Sequence, residues 1–114
     1  MSDDCLFCRI VSKKIPAKVE FENDSIVVIQ DINPQAPVHL LLIPKKHISE
    51  IAHMTENERV LIGDVIFCAK ELARERQLEE GYRLVFNNGS KAGQSVFHIH
   101  LHLLAGRAMK WPPG

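Results

Sequence analysis

No stretch of the 114 residues approaches the roughly 18 to 20 consecutive apolar residues that a membrane-spanning helix requires, so no membrane partner is expected. The opening Met1-Ser2-Asp3-Asp4 lacks the basic flank and long apolar run of a secretory signal, and the expected compartment is the cytosol. Excess charge of either sign is also missing: Lys plus Arg number 14, Asp plus Glu number 14, and the formal net charge is zero. Lys13-Lys14 and Lys45-Lys46 are short pairs that read as solvated surface, so nucleic acid is not an expected partner. Cysteine is scarce and odd in number, three in all, which excludes a fully paired disulfide framework and suits a reducing compartment. Repeats and low-complexity segments are absent, and the length predicts one domain, residues 1–114, with little room for a second.

What is present is an ordinary globular balance of 46% hydrophobic and 25% charged residues. Asp3 or Asp4 can cap a short helix reaching about Lys13, closed by Ile15-Pro16. Residues 18–21 and 25–30 read as a hairpin around the turn Glu22-Asn23-Asp24. Pro34 and Pro37 forbid regular structure over residues 31–37 and stiffen that loop. The dense apolar run 38–43 reads as a central strand covered on both faces. Thr55-Glu56-Asn57-Glu58 is a capping box, and Val60, Leu61, Val65, Ala69, Leu72 and Ala73 follow at helical spacing, so a helix should run to about Arg76 and cover one face of a sheet. Cys68 falls within that apolar stripe and reads as core packing. Residues 82–86 and 96–104 complete five strands around a turn-rich loop, 87–95. Tight connections and a single long helix predict an α+β fold: a five-stranded antiparallel sheet with one long and one short helix.

The chemistry concentrates in His98-Ile99-His100-Leu101-His102-Leu103-Leu104. Alternation at period two predicts a strand with three imidazoles on one face, roughly 6.6 to 7 Å apart, and Ile99, Leu101 and Leu103 in a core on the other. Imidazoles that change charge near neutral pH suit nucleophilic attack, proton transfer or metal ligation. A polar strand face that happens to carry histidines is the bland alternative, made improbable by three at strict spacing in a chain with six. The loop before them, with Gly89, Ser90, Gly93, Gln94 and Ser95, can offer backbone N–H groups and hydroxyls to an anion.

The run Gly93-Gln94-Ser95-Val96-Phe97-His98-Ile99-His100-Leu101-His102-Leu103-Leu104 resembles the signature of the histidine triad family, and within it the Hint branch of nucleoside phosphoramidases. Residues 31–39, residues 43–49 and the ending Trp111-Pro112-Pro113-Gly114 resemble Hint segments too, the ending being unlike the Fhit-like branch that cleaves dinucleoside polyphosphates. The resemblance implies hydrolysis of a P–N bond of a purine nucleoside phosphoramidate, giving the nucleoside monophosphate and an amine, in a homodimer whose sheets join. Position by position it implies His100 as nucleophile, Ser95 and His102 as phosphate contacts, and His98 and His39 as organisers of the imidazole cluster. It implies Asp31 on the ribose hydroxyls, Ile32 and Phe7 around the base, and Asn87, Gly93 and Gln94 about the sugar and phosphate. Read without it, Phe7 and Ile32 are ordinary core residues and Asp31 is a turn cap. His53 has no counterpart and reads as exposed. The tail, 105–114, corresponds to one that shapes substrate choice, which marks Trp111 as a specificity residue for the amine side.

Cys5 and Cys8 match half of a structural zinc site found in some histidine triad proteins, with His47 and His98 supplying the other half. No organic cofactor is implied. Two further readings of the histidines stay open: a zinc hydrolase holding metal on His98, His100 and His102, and a nucleotide-binding regulatory module without turnover.

Overall fold

The computed structural model describes residues 4–114. Five antiparallel strands form one sheet in the order β1-β2-β3-β5-β4: β1 Val19–Glu22, β2 Ile26–Gln30, β3 Val38–Pro44, β4 Arg83–Val85 and β5 Leu101–Ala105. Two helices accompany it, α1 Leu6–Val11 and α2 Arg59–Glu75, as the α+β expectation requires. No helix is long and apolar enough to cross a membrane among the described residues.

Period-two alternation on β2 and β3 feeds two cores at once, because each strand is covered on both faces. Ile26, Val28, Leu40 and Leu42 join Leu101 and Leu103 beneath Val65, Ala69, Leu72 and Ala73 of α2. Val27, Ile29, Leu41 and Ile43 turn the other way and pack with Cys5, Phe7, Cys8 and Ile10 around α1. Each fully buried aliphatic side chain contributes about 1.5–3 kcal/mol of burial free energy, so both helices are held by several such contacts. The short α1 depends on this packing, since six residues make too few helical bonds to be stable alone.

Helix boundaries differ from expectation in instructive ways. The N-cap of α1 is Cys5, whose Sγ accepts the Cys8 N–H at 3.3 Å; Asp4 lies outside the helix, and Asp3 falls outside the described residues. The same helix stops at Val11, before Ile15-Pro16, because Lys13 adopts a left-handed conformation with φ 67°. Thr55 and Glu58 do form the reciprocal capping box, on a 3-10 turn that leads into α2. Val60 faces solvent at 76% exposure and contributes nothing to the core, since it lies off the stripe defined by Val65, Ala69 and Leu72. Half-buried Cys68 packs against the edge of that core.

The histidine strand is shorter than residues 96–104. Pairing of β5 with β3 begins at Leu101↔Leu42, while the His98 carbonyl accepts a hydrogen bond from the His100 ring at 2.8 Å instead of joining a ladder. Upstream, Ile99 N–H donates to Ile48 O at 2.8 Å, which carries the segment away from the sheet. β4 likewise covers Arg83–Val85 alone, and Tyr82 and Phe86 lie beyond its ends.

Candidate functional site

His102 on β5 and His100 just before it lie on the α1 side of the sheet, their ring centroids 5.0 Å apart. They line a cavity of about 800 Å³ together with Phe7, Asp31, Ile32 and Ser95. The opposite-facing Leu101 and Leu103 are buried against α2, so the alternation anticipated from the sequence fixes which side carries the chemistry. Phe7 forms one wall, its ring meeting His100 edge-on at 4.9 Å and an interplanar angle of 84°. Ile32 stands fully exposed at the mouth, where an apolar residue has no core to fill. Phe7 and Ile32 thus both face the cavity, one rigidly buried and one in solvent.

The stiff loop after β2 brings in Asp31, and both of its possible roles are visible. Oδ1 accepts the Asn33 N–H at 2.8 Å, a turn cap, while Oδ2 lies 3.3 Å from Nε2 of His39. His39 Nε2 is also 2.9 Å from His102 Nδ1. Burial outweighs the pull of Asp31 and lowers the His39 pKa, so this contact is a hydrogen bond from a neutral ring rather than an ion pair.

The carbonyl of His98 can only accept, so His100 Nδ1 carries the proton and its Nε2 keeps a lone pair. Burial also holds the His100 pKa below its ordinary value, against the raising effects of that hydrogen bond and of Asp31. His102 is pushed down to about 4, by burial first and by its histidine neighbours second. A neutral imidazole with a fixed tautomer and a free nitrogen is the state a nucleophile requires near neutral pH.

His98 does not belong to this cavity. It is fully buried beside α1, with Nδ1 3.3 Å from Cys5 Sγ, 3.6 Å from Cys8 Sγ and 3.1 Å from His47 Nδ1. Cys8 Sγ lies 3.3 Å from His47 Nδ1, and the four donor atoms all fall within 4.8 Å of one another. Tetrahedral zinc with bonds of about 2.0–2.3 Å sets its ligand atoms about 3.3–3.8 Å apart, close to these spacings. His98 Nε2 donates to Pro44 O at 2.7 Å, which leaves the Nδ1 lone pair facing the thiols. The residues present therefore fit a closed four-ligand metal site.

This geometry separates what the sequence had grouped. Ligand atoms of His98, His100 and His102 do not converge, because His98 turns to the cysteines and His100 Nδ1 is spent on a carbonyl; a metal shared by the three is not supported. Gln94, expected near the phosphate, is buried and structural: Oε1 accepts the Gly89 N–H, and Nε2 donates to Ser49 O and Val96 O. Those bonds fold the loop that presents exposed Ser95, and Gly93 turns it with φ 101° in the left-handed region. Gly93, half-buried Asn87 and Trp111 do not line the cavity, and Trp111 is 84% exposed. His53 is exposed, near Ser49 and Glu50. Gln35 was missed by sequence reasoning: its backbone N–H donates to His39 Nδ1 at 3.0 Å, and a main-chain donor leaves no mark in side-chain identity.

Comparison with known proteins identifies the family of the fold. A HIT family hydrolase from Legionella pneumophila superposes with a TM-score of 0.94 at 54% identity, covering 96% of this chain and 99% of that one. A histidine triad nucleotide-binding protein from Candida albicans superposes at 0.80 with 30% identity, covering 96% of this chain and 84% of its own. An uncharacterised HIT-like protein of Synechocystis sp. is 45% identical over 114 residues, the whole of both chains. The HIT domain pattern itself matches residues 12–109, and with it the chain belongs to the HIT domain family.

Proposed function

We propose that this HIT-family hydrolase is a purine nucleoside phosphoramidase of the Hint type. The observation that carries the proposal is the His100 ring, which is buried in the cavity wall with Nδ1 tied to the His98 carbonyl and Nε2 free. Nε2 attacks phosphorus, the P–N bond breaks, and the amine leaves with the bonding pair and takes up a proton. Water then adds to phosphorus, the P–Nε2 bond breaks, and the nucleoside monophosphate is released. Dividing one displacement into two lets a single imidazole serve as nucleophile and then as leaving group. Ser95 and His102 hold the phosphoryl oxygens, Asp31 takes the ribose hydroxyls, and Phe7 and Ile32 enclose the base.

Cys5, Cys8, His47 and His98 hold a structural zinc ion in this proposal. Such an ion supplies a crosslink between α1 and the segment before β5 and leaves no position open for substrate. The protein acts as one cytosolic domain, consistent with Cys5, Cys8 and Cys68 forming no disulfide, and as a homodimer. The outer edge of β4 is unpaired in the sheet order and is available to continue the sheet into a second copy. Trp111 then serves the partner's cavity and selects the amine.

Release of amine and AMP from an adenosine phosphoramidate, by the native chain and by a folded His100→Ala variant, tests the reaction. Turnover by the first and loss of several orders of magnitude in the second is expected. AMP binding without turnover by either chain would leave a nucleotide-binding regulatory module in its place.

A further inference from the structure

We propose that Gln35 is a positioning residue acting through its main chain: its N–H fixes which nitrogen of His39, and in turn of His102, carries the proton. The two histidines in the cavity then present opposite polarity, a lone pair on His100 and an N–H on His102. The catalytic meaning of this polarity rests on the phosphoramidase proposal; the proton positions do not.

The inference follows donor by donor. Gln35 N–H lies 3.0 Å from His39 Nδ1 and can only donate, so Nδ1 must be unprotonated. Burial keeps the ring neutral, and its one proton therefore sits on Nε2. Nε2 faces two acceptors, Asp31 Oδ2 at 3.3 Å and His102 Nδ1 at 2.9 Å. Were His102 Nδ1 to carry the proton instead, His39 would need its own on Nδ1, head-on against the Gln35 N–H and with nothing to offer Asp31. His102 therefore accepts at Nδ1, and its proton is on Nε2. His100 has the reverse arrangement, because its Nδ1 donates to the His98 carbonyl. Two identical side chains two residues apart are thus made chemically unlike by two backbone groups, one carbonyl and one N–H.

The Gln35 peptide is well anchored for this task. Its carbonyl accepts from Arg107 Nε at 2.9 Å, and its side-chain Nε2 donates to Asn33 O at 3.0 Å. Pro34 precedes it and Pro37 follows two residues on, which removes alternative conformations from the loop. Arg107 belongs to the tail just after β5, so the strand that carries His102 also steadies the residue that sets its proton.

Nitrogen-15 NMR of the native, histidine-labelled chain above pH 7 reads the tautomers directly. His39 and His102 are expected as Nε2–H and His100 as Nδ1–H; a His102 ring protonated on Nδ1, or an unresolved mixture, overturns the inference. Gln35→Pro deletes the N–H, whereas Gln35→Ala retains it. The proline variant is expected to mix the His39 and His102 tautomers and to lose at least about tenfold in kcat, with AMP affinity held within about twofold. The alanine variant keeps the native tautomers. Native tautomers persisting in a folded Gln35→Pro chain would remove Gln35 from the role. If that variant does not fold, the native spectrum still decides the proton positions. Correct tautomers in a chain that cleaves no phosphoramidate would overturn the reaction and leave the tautomer assignment standing.

Discussion

Removing metal from the zinc-loaded chain should lower its melting temperature substantially without abolishing the fold. Two of the four donors sit at the start of α1 and two lie far along the chain, at His47 and His98, so metal loss cuts a crosslink between α1 and the sheet. It also leaves two ring nitrogens 3.1 Å apart and two thiols packed together with no ion to satisfy them. Phe7 and Ile10 still hold α1 against β2 and β3, and the α2 core is untouched, which is why global unfolding is not expected. A ligand bound only by the folded state stabilises it by about 3–4 kcal/mol when free ligand is ~100 to ~1,000 times Kd. At about 4 °C per kcal/mol for a chain of this size, chelation should lower Tm by about 12–16 °C. The assay is thermal unfolding with and without a strong chelator, followed by zinc re-addition, on the native chain and Cys8→Ala. Native protein should shift down and recover, while Cys8→Ala starts low and does not respond. A native Tm that moves less than about 2 °C while metal analysis records loss of one zinc per chain would refute the reasoning.

Asp31→Ala should weaken AMP binding by about tenfold to a hundredfold, the worth of one hydrogen bond to a charged acceptor, as measured by calorimetry; unchanged affinity would assign Asp31 to the turn alone. Acid should destabilise the fold through His102. Its folded pKa is near 4 against an ordinary 6.5, so between those values the unfolded chain takes up a proton that the native ring refuses. Stability is therefore full above about pH 6.5 and falls toward pH 4, a decline that urea midpoints should show and that His102→Gln should make shallower; an equal slope in both chains would contradict it. Trp111→Ala should change the ranking of amine leaving groups while leaving AMP affinity intact, and equal losses for every amine would count against the tail as a specificity element.

Most of the sheet was legible because two rules act locally. Apolar runs bounded by turn residues told β2 and β3 from loops, and the Thr55–Glu58 box announced α2 within a turn of its start. The separation of His100 and His102 from the α2 core followed from the period-two alternation of residues 98–104. What could not be read were properties set by tertiary partners. His98 keeps the alternation but leaves the sheet, because the cysteines of α1 and the Pro44 carbonyl claim its ring. Gln94 looks like a ligand contact in a polar loop, and only the fold reveals that Gly89, Ser49 and Val96 already occupy its side chain. Val60 fits a helical stripe on paper, yet the stripe is fixed by Val65 and Ala69 meeting the sheet. Gln35 contributes a backbone group, which any residue except proline could supply.

Rapid acid-free quenching of the native chain with an adenosine phosphoramidate, followed by intact-mass analysis and peptide mapping, tests the central chemistry most directly. A transient nucleotidyl adduct on His100 is predicted, absent from His100→Ala. An adduct on His102, or full turnover with no adduct at any time point, would contradict a covalent intermediate on the His100 ring.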